Sequence, residues 1–257
     1  MTMSSDKTDM GGSQNRFQTT CWTEIFNART SNETRQRESV NQFIKKYWKP
    51  VYCYLRRKGY SNEAAKDMTQ GFFHEVVLGR HLIQRADQGK GRFRTFLLTA
   101  LDRYATDVYH RESAGKRSPK GQIVPLETSD PAELLEARSD LEPEEIFHYA
   151  WASEILSQVL AEVEEYCCNA DREPYWNVFR EKVVAPILDG SETPALRDLC
   201  RRYDIADESK AANMIAYVKG QFRSTMMKCL RQFVDSDSEV EEEFNDIFEI
   251  LSKNATR

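Results

Sequence analysis

A stretch rich in arginine and aromatic residues, from residue 92 to residue 111, carries side chains suited to binding a polyanion. Arginine neutralises phosphate groups, and bases stack on aromatic rings with about 1–3 kcal/mol per base. The set comprises Arg92, Phe93, Arg94, Phe96, Arg103, Tyr104, Tyr109 and Arg111. The alternative is an ordinary amphipathic helix with its aromatic rings inward and its arginines in solvent. The spacing favours burial for Phe93 and Tyr104, whereas the nearby Lys90, Lys116 and Arg117 favour a nucleic-acid role for the arginines.

The element that must position these side chains is predicted to be a helix of about twenty residues that begins near Arg92. Its buried stripe recurs at threes and fours and consists of Phe93, Leu97, Ala100, Leu101, Tyr104 and Val108. A different face carries Arg92, Phe96, Thr99, Arg103 and His110. A flexible loop, RADQGKG, precedes this helix, and a basic linker, SAGKRSPKG, follows it.

A second polar set lies on the preceding predicted helix, which begins at an N-cap, Ser61, and ends near Gly79. Asp67, Gln70 and His74 share one face at spacings of three and four, opposite an apolar stripe. An acid and an amide one turn apart can dock on a basic partner helix, but a solvated face has the same pattern. General acid–base catalysis needs a second titratable group in a cleft, and the sequence shows none beside these residues.

Two further predicted helices have the outline of a helix-turn-helix. Thr193 and Pro194 read as an N-cap and a first helical residue, and Asp207 reads as the N-cap of a longer helix. Outward positions of the longer helix could contact phosphates and a base edge; they are Lys210, Asn213, Tyr217, Lys219 and Arg223. Two helices packed only as core are the alternative.

Charge is distributed unevenly along the 257 residues, although the formal net charge is only −5. Residues 80–120 contain ten Lys and Arg against four Asp and Glu. Residues 127–145 contain eight acids and one base, and residues 235–257 contain eight acids and two bases. This pattern favours a polyanion held locally at the basic segment.

Several function classes are not expected from the sequence. No apolar run approaches the roughly 20 residues of a membrane span, and no secretory signal is present at the N-terminus. The six cysteines form no CxxC pair and do not cluster with the four histidines, so we expect reduced thiols, no metal and no cofactor. No phosphate-binding glycine loop or catalytic set is apparent, so the chain is not expected to be an enzyme. The lack of a secretory signal together with reduced thiols predicts a cytoplasmic protein.

The predicted fold class is all-α, with two helical domains joined by an acidic linker. The expected organisation is a disordered N-terminus (1–19), a first domain (20–114), a linker (115–145), a helix-turn-helix domain (146–234) and an acidic C-terminal tail (235–257). The tail retains an amphipathic helical pattern.

Two motifs in the first domain resemble region 2 of extracytoplasmic-function sigma factors of bacterial RNA polymerase, above all the group common in planctomycetes. They are AKDMTQGFF at residues 65–73 and GRFRTFLLTAL at residues 91–101, in the right order and separation. Residues 195–234 more loosely resemble the region 4 helix-turn-helix, and the ending EVEEEFNDIFEIL is similar to tails in that group.

The resemblance implies roles for individual residues. Asp67 and Gln70 would bind the coiled coil of the polymerase clamp, with Phe73 packing the helix and His74 on the same polymerase-binding element. The implied contacts to the −10 strand are Lys90, Arg92, Arg94, Phe96, Thr99, Arg103, His110 and Arg111. The implied −35 recognition helix spans residues 207–223 and offers Lys210, Asn213, Tyr217, Lys219 and Arg223.

The sequence departs from the family pattern at two places. Many members have an acid after the glutamine, where this chain has Gly71, and a glycine there costs about 1 kcal/mol of helix propensity against alanine. The recognition helix is less basic than usual, and its turn is one residue longer.

The expected function is therefore that of a non-enzymatic sigma factor with core polymerase and promoter DNA as partners, and an anti-sigma protein as a further candidate partner. Two alternatives stay open: a two-domain DNA-binding regulator that acts without polymerase, and an α-helical protein-interaction scaffold. The charge counts also suggest that the acidic tail is an intramolecular brake that mimics DNA over the basic helix.

Overall fold

Helices make up most of the described part of the chain. The computed structural model describes residues 33–79, 82, 93–113, 135, 138, 140–188, 190–231 and 237–253. No β-strand occurs among these residues, which confirms the predicted all-α class. The predicted disordered N-terminus and most of the acidic linker lie outside the described residues.

Contacts divide the chain into two compact units, residues 1–151 and residues 152–257, and each is described by itself. The helices are α1 (Glu33–Arg57), α2 (Asn62–Gly71) with a π-helical continuation (Phe72–Gly79), α3 (Phe93–Ser113), α4 (Pro143–Asn169), α5 (Glu173–Phe179) followed by a π-helical segment (Arg180–Val184), α6 (Ala185–Leu188), α7 (Leu196–Arg202), α8 (Glu208–Leu230) and α9 (Asp237–Lys253). The first turns of α4, up to Trp151, belong to the first unit.

Local sequence signals set the helix ends. Gly59 follows α1 with a φ of 97°, a left-handed conformation that glycine adopts without the steric cost of a Cβ. Ser61 caps α2 by accepting a hydrogen bond from the Ala64 amide at 3.3 Å, and Asp207 caps α8 by accepting one from the Lys210 amide at 2.7 Å. Both predicted caps are therefore confirmed. Helix α1 continues through Pro50.

The predicted start of α7 is wrong by two residues. The helix begins at Leu196, and its N-cap is Ala195, with φ −67° and ψ 143° and no capping side-chain bond. Thr193 and Pro194 precede the helix in non-helical conformation. Pro194 is held instead through its carbonyl, which accepts a hydrogen bond from Lys182 Nζ at 2.7 Å. The proline is thus part of the approach to α7 and not its first turn.

The core of the first unit is largely aromatic. The apolar side chains of α1 from Phe43 to Leu55 are buried, and the rings of Phe43, Tyr47 and Phe73 are almost completely enclosed. Phe43 contacts Phe73 edge to face, with ring centroids 6.1 Å apart, and Phe93 of α3 at 5.5 Å. Edge-to-face pairs stabilise beyond the area that they bury. These rings hold α1, α2 and α3 together.

A π-helical winding after Gly71 changes which residues of this segment reach the core. The adjacent pairs Phe72–Phe73 and Val76–Val77 are all buried. A wider turn brings two neighbouring residues per turn toward the same side, and π-helical turns often occur at functional sites. The sequence did not predict this segment, because two turns are too short to separate a period of 3.6 from a longer one.

Helix α8 is the centre of the second unit. It packs against α5, α7 and α9, and its buried residues are Ala211, Met214, Ile215, Val218, Met226, Cys229 and Leu230. Phe222 of the same helix is half-buried. The tail helix α9 adds Val240 and Ile247, both almost fully enclosed.

Within the described ranges, no helix is both long and apolar enough to pass through a bilayer. The same residues contain no group of three or more His, Cys, Asp or Glu arranged to hold a metal ion. Of the described cysteines, Cys53, Cys167, Cys200 and Cys229 are buried, and Cys168 is exposed. Burial raises the pKa of the Cys167 thiol.

Candidate nucleic-acid and partner-binding surfaces

The first candidate surface is the polar face of α2 and its π-helical continuation. Asp67 and His74 are exposed and Gln70 is half-buried. No described residue makes a hydrogen bond or an ion pair with the Asp67 carboxylate. The opposite side of the helix is core, through Ala65, Met68, Phe72 and Val76. A polar face held rigidly by a buried apolar face is suited to docking a partner.

Phe73 does not belong to this exposed face. Its side chain is completely buried, stacked on Trp48 at a centroid distance of 6.3 Å and in contact with Phe72 at 5.5 Å. It can therefore support the polar face only by fixing the helix. This placement agrees with the packing role that the resemblance implies for it.

Glu63 is a further acidic residue of α2 that was not predicted to take part. It is exposed, lies four residues before Asp67, and forms an ion pair with Lys66 at 3.3 Å. Residues four apart share a helix face, so this spacing was the available signal. Glu63 adds a second carboxylate beside Asp67.

The second candidate surface is the exposed face of α3. Thr99, Arg103 and His110 are exposed and Phe96 is half-buried, with its ring 6.1 Å from that of Phe93. Tyr109 is 63% exposed, and its ring lies 5.9 Å from the His110 ring. Tyr109 belongs to the basic–aromatic set but was not among the residues assigned to the −10 strand. Its exposure makes it a stronger candidate for base stacking than Phe96.

Arg94 of α3 is buried and does not belong to this exposed face. Only 5% of this residue is exposed, and its guanidinium lies 4.4 Å from the centre of the Trp151 ring. A buried guanidinium on an aromatic face is a cation–π contact that stabilises the fold. The prediction that Arg94 contacts the −10 strand is therefore not supported by its position, because the group does not reach the surface.

Arg111 is also turned toward the protein. Its guanidinium forms an ion pair with Glu75 at 3.4 Å and lies 6.0 Å from the centre of the Tyr104 ring. The side chain is about one third exposed. Arg111 joins the end of α3 to the π-helical segment, so its charge is partly neutralised. The remaining two predicted −10 contacts, Lys90 and Arg92, lie outside the described residues.

Asp102 fixes α3 against the end of α1. It accepts a hydrogen bond from the Tyr54 hydroxyl at 2.7 Å and one from Lys58 Nζ at 2.9 Å. These two hydrogen bonds hold the pKa of the Asp102 carboxyl below its ordinary value. Burial, followed by the hydrogen bond to Asp102, raises the pKa of the Tyr54 phenol well above its usual range. The network locks the register of α3.

The third candidate surface is the face of α8 in the helix-turn-helix. Lys210, Asn213 and Lys219 are exposed, and none has a side-chain hydrogen bond or ion pair among the described residues. Helices α7 and α8 pack against each other through Leu199, Cys200 and the buried side of α8. In a helix-turn-helix, the first turns of the second helix contact base edges. Lys210 and Asn213 occupy those turns.

Tyr217 is held within a cluster of the second unit. Its hydroxyl accepts a hydrogen bond from Arg172 and shares one of 3.2 Å with the Tyr166 hydroxyl. Its ring lies 5.6 Å from that of Tyr175. The hydrogen bond with Tyr166, followed by burial, raises the pKa of Tyr217. Tyr217 therefore braces α8 against α4 and α5, so it is less available to DNA than its neighbours.

Arg223 is engaged by the acidic tail. Its Nη2 atom donates to both carboxylate oxygens of Glu241 in α9, at 2.9 and 3.0 Å. The Arg223 guanidinium also lies 4.9 Å from the centre of the Phe244 ring. Of the five residues predicted to read a −35 element, the structure thus leaves three open and engages two.

Comparison with known proteins found no matching family model, no matching curated protein and no matching solved structure.

Proposed function

We propose that this chain is a cytoplasmic sigma factor, a non-enzymatic subunit that joins core RNA polymerase, recognises a promoter and helps to open it. The proposal combines the two sequence motifs of residues 65–73 and 91–101 with the surfaces described above. The first unit supplies the polymerase contact and the strand contact, and the second supplies a duplex contact.

The observation that carries the proposal is the exposed carboxylate of Asp67, which has no partner among the described residues and lies on a helix whose other side is core. A helix face that only meets solvent can carry any polar residues. The face of α2 and its continuation presents Asp67, Gln70 and His74 from a helix that is fixed by its buried side. An acid and an amide with these neighbours can accept and donate hydrogen bonds to a basic helix. We assign this face to the clamp coiled coil of polymerase.

The exposed face of α3 supports the strand-contact role. Arg103 can neutralise a phosphate, and Tyr109 and His110 present adjacent rings at the surface. Aromatic side chains beside an exposed arginine are the usual means by which proteins hold single-stranded nucleic acid. Asp102 and its partners Tyr54 and Lys58 fix the helix that presents them.

Capture of core polymerase tests the proposal. We expect Asp67→Lys to abolish co-purification with bacterial core enzyme, because it places a cation against a basic coiled coil. Glu164→Lys is the matched control, since it reverses one exposed carboxylate in the second unit. Equal retention of core enzyme by the wild type and both variants would contradict the assigned face. Absence of capture by the wild type would contradict the proposed function.

A DNA-binding regulator that acts without polymerase is the second candidate. The observation in its favour is the α7–turn–α8 arrangement with Lys210, Asn213 and Lys219 exposed. Under this alternative, Asp67→Lys leaves specific DNA binding intact and no core enzyme is captured. Run-off transcription with core polymerase separates the two candidates, because only a sigma factor yields promoter-specific transcripts.

A further inference from the structure

The acidic tail forms a folded helix that packs on α8. Its inner side contributes Val240 and Ile247 to the core of the second unit. Its outer side exposes Glu239, Glu241, Glu242 and Glu249. One ring contact joins it to α8, from Phe222 to Phe248 at a centroid distance of 6.4 Å, and within α9 the Phe248 ring also lies 4.7 Å from that of Phe244. The tail is therefore an ordered, negatively charged neighbour of the predicted recognition helix.

The contact between Arg223 and Glu241 places a carboxylate on an arginine of the predicted recognition helix. One guanidinium nitrogen reaches both carboxylate oxygens, and Phe244 lies under the guanidinium plane. Carboxylate and phosphate compete for the same planar donors of arginine. Because the same guanidinium face cannot serve both anions fully, Glu241 occupies the site that a DNA phosphate would need.

A competing anion can displace Glu241 from Arg223. The side chain of Arg223 is 56% exposed and that of Glu241 is 48% exposed, so water and salt screen their attraction. Exposed pairs of this kind are weak, and a DNA backbone offers a higher charge density than one carboxylate. The contact should therefore reduce DNA affinity without preventing binding.

We propose that α9 is a tethered competitor for DNA, in which Glu241 stands in for a phosphate at Arg223. The inference rests on the proposed function, because it needs α8 to be a DNA-contacting helix. It also relocates the brake expected from the charge counts, from the basic helix α3 to α8. Lys210 and Lys219 have no ion pair among the described residues, so initial contact with DNA remains open while Arg223 is occupied.

Deleting the tail is a poor test, since it would expose the core under Val240 and Ile247. Glu241→Gln removes the charge and keeps the helix. Glu242→Gln is the matched control, because Glu242 is the next residue, is also exposed, and makes no ion pair with the described residues. Both variants change the net charge equally, so they differ only in the contact with Arg223.

The measurement is fluorescence anisotropy of the full chain with a labelled duplex of about 30 base pairs, at low and at physiological salt, because phosphate contacts are salt-dependent and carry no sequence information. We expect Glu241→Gln to bind about 2- to 5-fold more tightly at low salt, with a salt dependence steeper by up to about one phosphate contact. Glu242→Gln should gain clearly less. Equal gains for the two variants would overturn the inference.

Arg223→Ala supplies the second arm. It should cost little DNA affinity in the wild-type background, where Glu241 occupies the guanidinium, and should remove most of the gain in the Glu241→Gln background. An equal loss in both backgrounds would mean that Arg223 is already free for DNA, and would overturn the inference.

The failures are distinguishable. If the wild type binds the duplex and captures core polymerase but Glu241→Gln behaves like Glu242→Gln, only the tethered competitor is wrong. If neither the wild type nor any variant binds DNA in a salt-dependent way, the DNA-contacting role of α8 is wrong and the inference falls with it.

Discussion

Gly71 lies directly against the hydroxyl of Tyr104. A Cβ atom added to Gly71 would overlap Tyr104 Oη and would lie 3.5 Å from Cζ of the same ring. Tyr104 is almost fully buried, so its ring has little room to move away. The close approach explains why a glycine is needed at position 71. In this chain the tyrosine of α3 fills the space that a side chain would take.

The first prediction concerns this contact. Gly71→Ala should lower the free energy of unfolding by about 1 kcal/mol, because an overpacking cost of about 1–3 kcal/mol exceeds a gain in helix propensity of about 1 kcal/mol. Tyr104→Phe removes the overlapping oxygen, so the two substitutions together should cost less than the sum of the two alone. Urea unfolding of the four proteins in this double-mutant cycle measures the coupling.

Gly220→Ala is the matched control for that cycle. Gly220 lies inside α8 with nothing within 4 Å of the added Cβ, so the substitution should stabilise the protein by about 0.5–1 kcal/mol. Similar changes in stability for Gly71→Ala and Gly220→Ala would contradict the steric explanation.

The parts of the fold that could be predicted from the sequence are those fixed by local signals. The caps at Ser61 and Asp207 depend on one side chain and a neighbouring amide, and the buried stripe of α3 depends on a period of 3.6. The start of α7 was missed because Thr193 and Pro194 are good N-terminal residues in isolation. The carbonyl of Pro194 is instead bound by Lys182, which is distant in sequence.

The candidate site was less predictable, because exposure depends on contacts between helices. A single pattern suggested that Arg94, Arg103 and Arg111 act alike, yet their positions differ completely. Arg94 is covered by Trp151, Arg111 is paired with Glu75, and only Arg103 is exposed. Each covering residue is more than 30 positions away in the sequence, so no local pattern could show the difference.

The second prediction follows from the exposure of Arg103. Arg103→Ala should weaken binding of single-stranded −10 DNA several-fold and change duplex binding less, because α3 is proposed to hold an extruded strand. Arg180→Ala is the control, because it removes an exposed arginine from the second unit, whereas Arg103 is in the first. It should leave the affinity for the single strand nearly unchanged. Anisotropy titrations with labelled oligonucleotides measure both. Equal losses on single-stranded and duplex DNA would count against strand capture.

The third prediction separates stability from binding at Arg94. Arg94→Ala should destabilise the protein by about 1–2 kcal/mol, since it removes a buried guanidinium from the face of Trp151. Arg94→Lys should recover part of that loss, because an ammonium group also binds an aromatic face. Urea unfolding gives the stabilities. A normal unfolding midpoint together with a loss of strand binding like that of Arg103→Ala would show that Arg94 contacts DNA after all.

The fourth prediction concerns pH and the Asp102 network. The folded-state pKa of Asp102 is lowered, so the stabilisation is present above the ordinary Asp pKa of about 3.9 and is lost as pH falls through the lower folded value. Asp102→Asn should therefore cost at most about 1 kcal/mol at neutral pH, since about half of the Asp102 side chain is exposed, and less as the pH falls toward the acid range. Urea unfolding over a pH series measures the difference between variant and wild type.

Asp67→Asn is the control, because it makes the same change at an exposed carboxylate with no described partner, and it should change the stability little. A difference for Asp102→Asn that stays constant with pH would mean that the bonds from Tyr54 and Lys58 do not stabilise the charged form.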